Sequence, residues 1–236
     1  MKATVHGQDP SLGSGREWLL LFRIGGVAAF LYVALVLVPV VLVFAAPIPP
    51  TEGASLLEFV IAHKVVYLIE LICFVGLSVP ALAVFAALAV RLYPADASLA
   101  ALGGLTGVVS ETIALALGSS PQSLHGGIVV LADAYQQTSD AGRRSALASA
   151  AEALIAATNA VSWAGVLTAL AILLLSMLLR RAGMGGKLGT LGVVTGLLGI
   201  ASEALRPVIG PGYMLYGLLL PLWFALIGTK LLRRTG

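Results

Sequence analysis

LLFRIGGVAAFLYVALVLVPVVLVFAA, residues 20–46, decides what kind of protein this is. Its apolar run of about 25 residues carries one charge, Arg23, near its start. A helix needs roughly 20 apolar residues to cross the hydrocarbon core of a bilayer. A secretory signal has an apolar stretch of only about 7–15 residues, so the segment reads as a retained transmembrane helix.

The rest of the chain repeats that signal. Of 236 residues, 59% are hydrophobic and 11% charged, and the mean hydropathy is +1.01. Soluble domains run near 45–50% apolar and about 25% charged. This chain has too little polar surface to cover itself in water, and the solvent that fits is lipid. Further spans are predicted over residues 64–90, 98–118, 154–179, 188–208 and 212–229. Pro80 and Pro221 are expected to kink the second and the sixth. The turn between the last two spans is set by Pro207, Gly210, Pro211 and Gly212. The fold class is therefore all-α, a polytopic membrane helix bundle of about six helices. Residues 1–19 are a polar tail (Lys2, His6, Asp9, Arg16, Glu17), and 20–236 form one six-span membrane domain.

Charge predicts the orientation. With the N-terminus inside, the cytoplasmic segments hold Lys2, Arg16, Arg23, Arg91, Arg180, Arg181, Lys187, Lys230, Arg233 and Arg234, ten of the fourteen basic residues. Lys64, Arg143, Arg144 and Arg206 are left outside. Basic residues stay on the cytoplasmic side, so both termini are expected there, in a multi-pass protein of the plasma membrane. The same topology accounts for the net charge of +3 without nucleic acid. Trp18, Tyr93 and Trp163 fall near predicted interfaces, where such rings collect.

The segment 119–153 is expected to be the only sizeable outer loop, and to be partly helical. Asp140 is a plausible N-cap for a helix rich in Ala, Leu and Glu, which would carry span four beyond the membrane. Residues 124–137 form either a short interfacial helix, with Leu124, Ile128, Val129 and Leu131 on its apolar side, or a re-entrant segment. Glycine clusters in span three (Gly103, Gly104, Gly107) and span five (Gly189, Gly192, Gly196, Gly199). The Gly192/Gly196 pair allows close helix approach. It serves either a homo-oligomer or packing inside the bundle.

Ionisable groups at membrane depth cost a few kcal/mol each and mark candidate sites. At 1.5 Å per residue, Glu70 lies about 9 Å below Lys64, Glu111 about 10 Å from the end of span three, and Glu203 about 7 Å from the end of span five. Arg206 is shallower. Asn159 and Ser162 of span four lie at a similar level. The candidate ligand-binding set is thus Glu70, Glu111, Glu203, Arg206, Asn159 and His63. Carboxylates gathered in low dielectric cannot all stay ionised. Arg206 shares a helix face with Glu203 and can pair with it, leaving Glu70 and Glu111 to share a proton or a cation. His63, roughly one repeat before Glu70, raises a Glu/Glu/His metal set, but no local ligand spacing supports a metal. The competing reading is a structural network in which Ser110 and Thr112 partner Glu111. His125 reads as a loop residue.

Several chemistries are absent. There is no P-loop, Gly-x-Ser-x-Gly, Gly-x-Gly-x-x-Gly, His-Glu-x-x-His or Cys-x-x-Cys. The single cysteine, Cys73, allows no intrachain disulfide and reads as a buried apolar group. No paired membrane histidines stand at haem-ligating spacing, and no basic stripe with interleaved aromatics suits nucleic acid. Nothing in the sequence names a cofactor.

Three stretches carry a resemblance. They are Arg23-Ile24-Gly25-Gly26 opening span one, the alanine-rich stretch 146–160, and Pro221-Leu222-Trp223 followed by Gly228 and Leu231-Leu232-Arg233-Arg234. In these the chain resembles the DUF4386 family of six-helix bacterial and archaeal membrane proteins, over most of its length. The resemblance implies six spans and transfers no activity and no site residue. Three functions stay open: a site for a cation, proton or small polar ligand, an enzyme acting on a lipid or isoprenoid-like substrate, and a scaffold.

Overall fold

The computed structural model describes residues 17–44, 46–117, 126–158 and 160–233. It is helical, with no strand among the described residues. The helices are α1 (Leu19–Leu42), α2 (Gly53–Ala62), α3 (Lys64–Gly76), α4 (Ser78–Leu92), α5 (Ala97–Leu117) and α6 (Gly126–Gln137). Then come α7 (Ala141–Thr158), α8 (Trp163–Arg181), α9 (Gly186–Ala204), the single turn α10 (Arg206–Ile209) and α11 (Tyr213–Leu232).

Among the described residues, five helical stretches are long and apolar enough to cross a membrane: Leu19–Leu42, Lys64–Leu92, Ala97–Ala116, Trp163–Arg181 and Tyr213–Leu232. The expected fifth span, α9, is 19 residues long, about 28 Å at the helical rise. Its glycines and threonines make it less apolar, because it trades side-chain bulk for close contact.

These helices close into a ring. Going round it, α1 packs on α4, α4 on α5, α5 on α8, α8 on α9, α9 on α11, and α11 back on α1. Neighbours in sequence are neighbours in space, which short connections between antiparallel helices favour. Glycine sets the spacing. A Cβ on Gly25 would meet Ala87 of α4, one on Gly104 would meet Ala89 of α4, and one on Gly196 would meet Leu173 and the Ala169 carbonyl of α8. Gly192 and Gly196 are buried inside the chain against α8.

One end of the ring is basic. Arg91 and Arg181 line a common pocket there, and Lys187, Lys230 and Arg233 another. Arg91 also lies over the Phe22 ring, 5.3 Å from its centroid. The middle is filled by aromatics. Tyr32 stacks on Phe224 at 3.8 Å, with Phe85 and Trp223 around them. Indole N–H groups seek a partner when buried, and Trp223 Nε1 donates to Ser176 Oγ at 3.1 Å.

The opposite end carries a helical cap, and this region differs from expectation in two ways. First, 119–153 is not the only structured segment there. Residues 53–62, too short to read as a span, form α2, and α2 packs on both α6 and α7. Leu56, Leu57 and Val60 of α2 join Ile128, Ala132, Tyr135 and Ala151 in a second apolar core. Of the predicted interfacial side, Ile128 is buried and Val129 and Leu131 pack against this core; Leu124 and His125 lie outside the described residues. Second, the predicted continuous span over 154–179 is broken. Asp140 does cap α7, accepting from the Arg143 amide at 2.7 Å, but α7 ends at Thr158. A fresh helix, α8, starts at Trp163, where Ser162 Oγ accepts from the Gly165 amide at 3.1 Å. Span two, by contrast, bends as expected of Pro80: α3 passes into α4 at Leu77, whose backbone stays helical. Pro80 lacks the N–H that would bond the Gly76 carbonyl, which places the bend about one turn before the proline.

Candidate functional site

Between the aromatic layer and the cap the ring holds a cavity of about 390 Å³. Glu111, Glu203 and Arg206 all line it. They reach it from α5, α9 and α10, so three helices supply its charge. Val36, Val40, Phe74 and Leu218 form much of the remaining wall.

One polar group is built on Glu203. Arg206 Nη2 donates to Glu203 Oε2, and the side chains are only 8% and 4% exposed. Tyr213 donates its hydroxyl proton to Glu203 Oε1 at 2.7 Å. The Gly210-Pro211-Gly212 turn (residues 210–212) makes this meeting local, since it brings the start of α11 beside the end of α9. Gly165 of α8 lies under the carboxylate, and a Cβ there would overlap it. The pair is thus walled by backbone on one side and by the Tyr213 ring on the other, 5.3 Å from the guanidinium carbon.

A second group is built on Glu111. Thr168 Oγ1 of α8 lies 2.9 Å from Glu111 Oε1. Ser110 Oγ lies 2.5 Å from Thr168 Oγ1, and it donates to the Ala164 carbonyl at 2.6 Å. Ser78, in the first turn of α4, hydrogen-bonds the same carboxyl. Tyr32 and Tyr216 stand within electrostatic reach of both Glu111 and Glu203. The two carboxyl groups therefore share walls as well as a cavity. A third polar feature follows from Pro221. It lacks an N–H and leaves the Gly217 carbonyl without its helical donor, and both residues line the cavity.

The other sequence-derived candidates lie elsewhere. Glu70 is buried on α3 but does not line the cavity. Its helix begins at Lys64, which pairs with Asp133 of α6 at 2.6 Å with 43% of each side chain exposed, and Tyr67 belongs to the cap core. Glu70 is one turn below Tyr67, at the junction of cap and ring. His63 ends α2 and precedes α3, with its ring 4.8 Å from that of Phe59. The helix break at His63 removes the face-sharing with Glu70. Asn159 lies outside the described residues. Thr112 bonds the Val108 carbonyl of its own helix and leaves Glu111 to Ser78 and Thr168. Among the described residues no group of three or more His, Cys, Asp or Glu could hold a metal ion.

Sequence reasoning did not find Tyr32, Tyr213, Tyr216 or Thr168. Hydroxyl groups are at home on any helix, and no charge flags them. One signal was present: Tyr213 directly follows the tight turn after Arg206. No family model, curated protein or solved structure matches this chain.

Proposed function

We propose that this is a six-span plasma-membrane protein, with both termini inside, whose outward-facing cavity binds a proton or a small cation at Glu111. The observation that carries the reading is one cavity lined by two carboxyl groups and one guanidinium. Glu203 and Arg206 neutralise each other at contact distance. Glu111 has hydroxyl neighbours and no cationic partner among the described residues, so a positive ligand balances it. Hydrogen counting supports a proton in the resting state. Three contacts run from Glu111 through Thr168 and Ser110 to the Ala164 carbonyl. The two hydroxyls carry two protons between them, and a proton on Glu111 closes the line. Kinship with the DUF4386 family would fit the six-helix layout.

Infrared spectroscopy tests this. The purified protein at neutral pH should show a carboxylic-acid carbonyl band that loses a component in Glu111→Gln and keeps that component in Glu70→Gln. Sodium, potassium or methylammonium chloride should weaken the same component if a cation exchanges for the proton. A spectrum unchanged by Glu111→Gln sinks the proton reading, and indifference to all three salts removes the cation.

A lipid-modifying enzyme is the second reading, favoured by the apolar wall of Val36, Val40, Phe74 and Leu218. There Glu111 would act as acid or base. Altered lipid extracts from cells expressing the wild type but not Glu111→Gln would select it.

A further inference from the structure

At the basic end of the ring, far from Glu111, a second cavity of about 560 Å³ opens between α9 and α11. Among the described residues, three cations line it, Lys187, Lys230 and Arg233, and no acidic residue does. None of the three forms an ion pair among the described residues. Like charges are costly to gather without a counter-ion, and basic end-of-helix residues need not share one pocket to fix topology.

Two further features narrow the ligand. The first turn of α9 opens onto the pocket without a side-chain cap and without an acidic residue. Its N-cap is Gly185, whose φ of +141° favours glycine, so no side chain covers the free amides. The Lys230 ammonium stands 4.0 Å from where a Cβ on Gly185 would be. The amides and the Lys230 ammonium thus meet at one spot in a pocket that Lys187 and Arg233 also line, as an anionic oxygen cluster would require. The wall leading away from that spot is Leu188, Leu191 and Leu226. A free phosphate has no use for such a wall, whereas an acyl chain does.

We infer that this pocket is a binding site for one anionic phospholipid, its phosphate held by Lys187, Lys230, Arg233 and the first amides of α9, its chain along the three leucines. Basic pockets between membrane helices hold anionic headgroups in this way. The site would tie α9, the least apolar ring helix, to α11.

Thermal unfolding in an uncharged detergent tests the assignment, since a ligand that binds only the folded state raises Tm. Phosphatidylglycerol should raise the wild-type Tm more than phosphatidylcholine with the same chains. Joint replacement Lys187→Gln, Lys230→Gln and Arg233→Gln should abolish that difference, and Lys230→Gln alone should reduce it if the triple variant does not fold. Arg181→Gln, at the same end but outside the pocket, should leave it intact. The proposal is overturned if phosphatidylglycerol gives no extra shift, if Lys230→Gln keeps all of it, if Arg181→Gln loses as much, or if inorganic phosphate alone matches it.

Discussion

Glu203→Gln is expected to be among the most destabilising single changes in this protein, by about 3–5 kcal/mol, the usual range for breaking a buried ion pair from one side. The variant keeps an oxygen for Tyr213 but leaves the Arg206 guanidinium, 8% exposed, facing a neutral amide. Arginine cannot shed its proton to escape. Gly165 blocks the carboxylate side with backbone, so the cation has little room to move. Thermal unfolding in detergent measures the effect. The comparison is Asp133→Asn, which breaks the Lys64 pair. Both partners there are 43% exposed, and the loss should stay under about 1 kcal/mol. Equal effects at the two sites would mean that the Glu203–Arg206 pair is hydrated.

Gly192→Leu is expected to prevent α8 and α9 from docking. A Cβ at that position would land on Ser176 Oγ and on Trp223 Nε1. Forcing extra atoms into a packed interior costs about 1–3 kcal/mol and sometimes more. Separating Trp223 from Ser176 leaves a fully buried indole N–H unsatisfied, about another 1–3 kcal/mol. Folded yield after detergent extraction should drop sharply. Gly126→Ala, with nothing among the described residues within 4 Å of its new methyl, should leave it unchanged. A Gly192→Leu variant that kept full thermal stability and altered only oligomeric state would place this glycine on an outer face, against the packing described.

Much of the ring was legible because lipid imposes a length. Residues 20–46 and 64–90 are long, apolar and bounded by charge, and they become α1 and the kinked α3–α4. The span expected over 188–208 rests on apolar length and on the breakers Pro207, Gly210, Pro211 and Gly212; its glycine-rich helix, α9, falls outside the five stretches of the described residues that are apolar enough to cross a membrane. What the sequence hid are features that depend on closure of the ring. The stretch 53–62 looks like a loop until α6 and α7 give its leucines somewhere to pack. Ser162 looks like a polar residue at membrane depth until the chain breaks and it caps α8. Among the site residues, Glu111, Glu203 and Arg206 declared themselves by charge alone. Glu70 did so equally, yet it lies outside the cavity lining, because α3 carries it beside the cap core rather than between α5 and α9. Tyr213 and Thr168 gain meaning only from the carboxyl group each one meets.

The proposed function requires a cavity that opens on the face opposite the basic helix ends, and cysteine labelling probes that most directly. In a Cys73→Ala background, Ala114→Cys and Gly217→Cys line the cavity, while Arg181→Cys sits at the basic end. A membrane-impermeant maleimide applied to intact cells should modify the first two, and should reach Arg181→Cys only after permeabilisation. Modification of Arg181→Cys on intact cells, with both cavity positions silent, would contradict it.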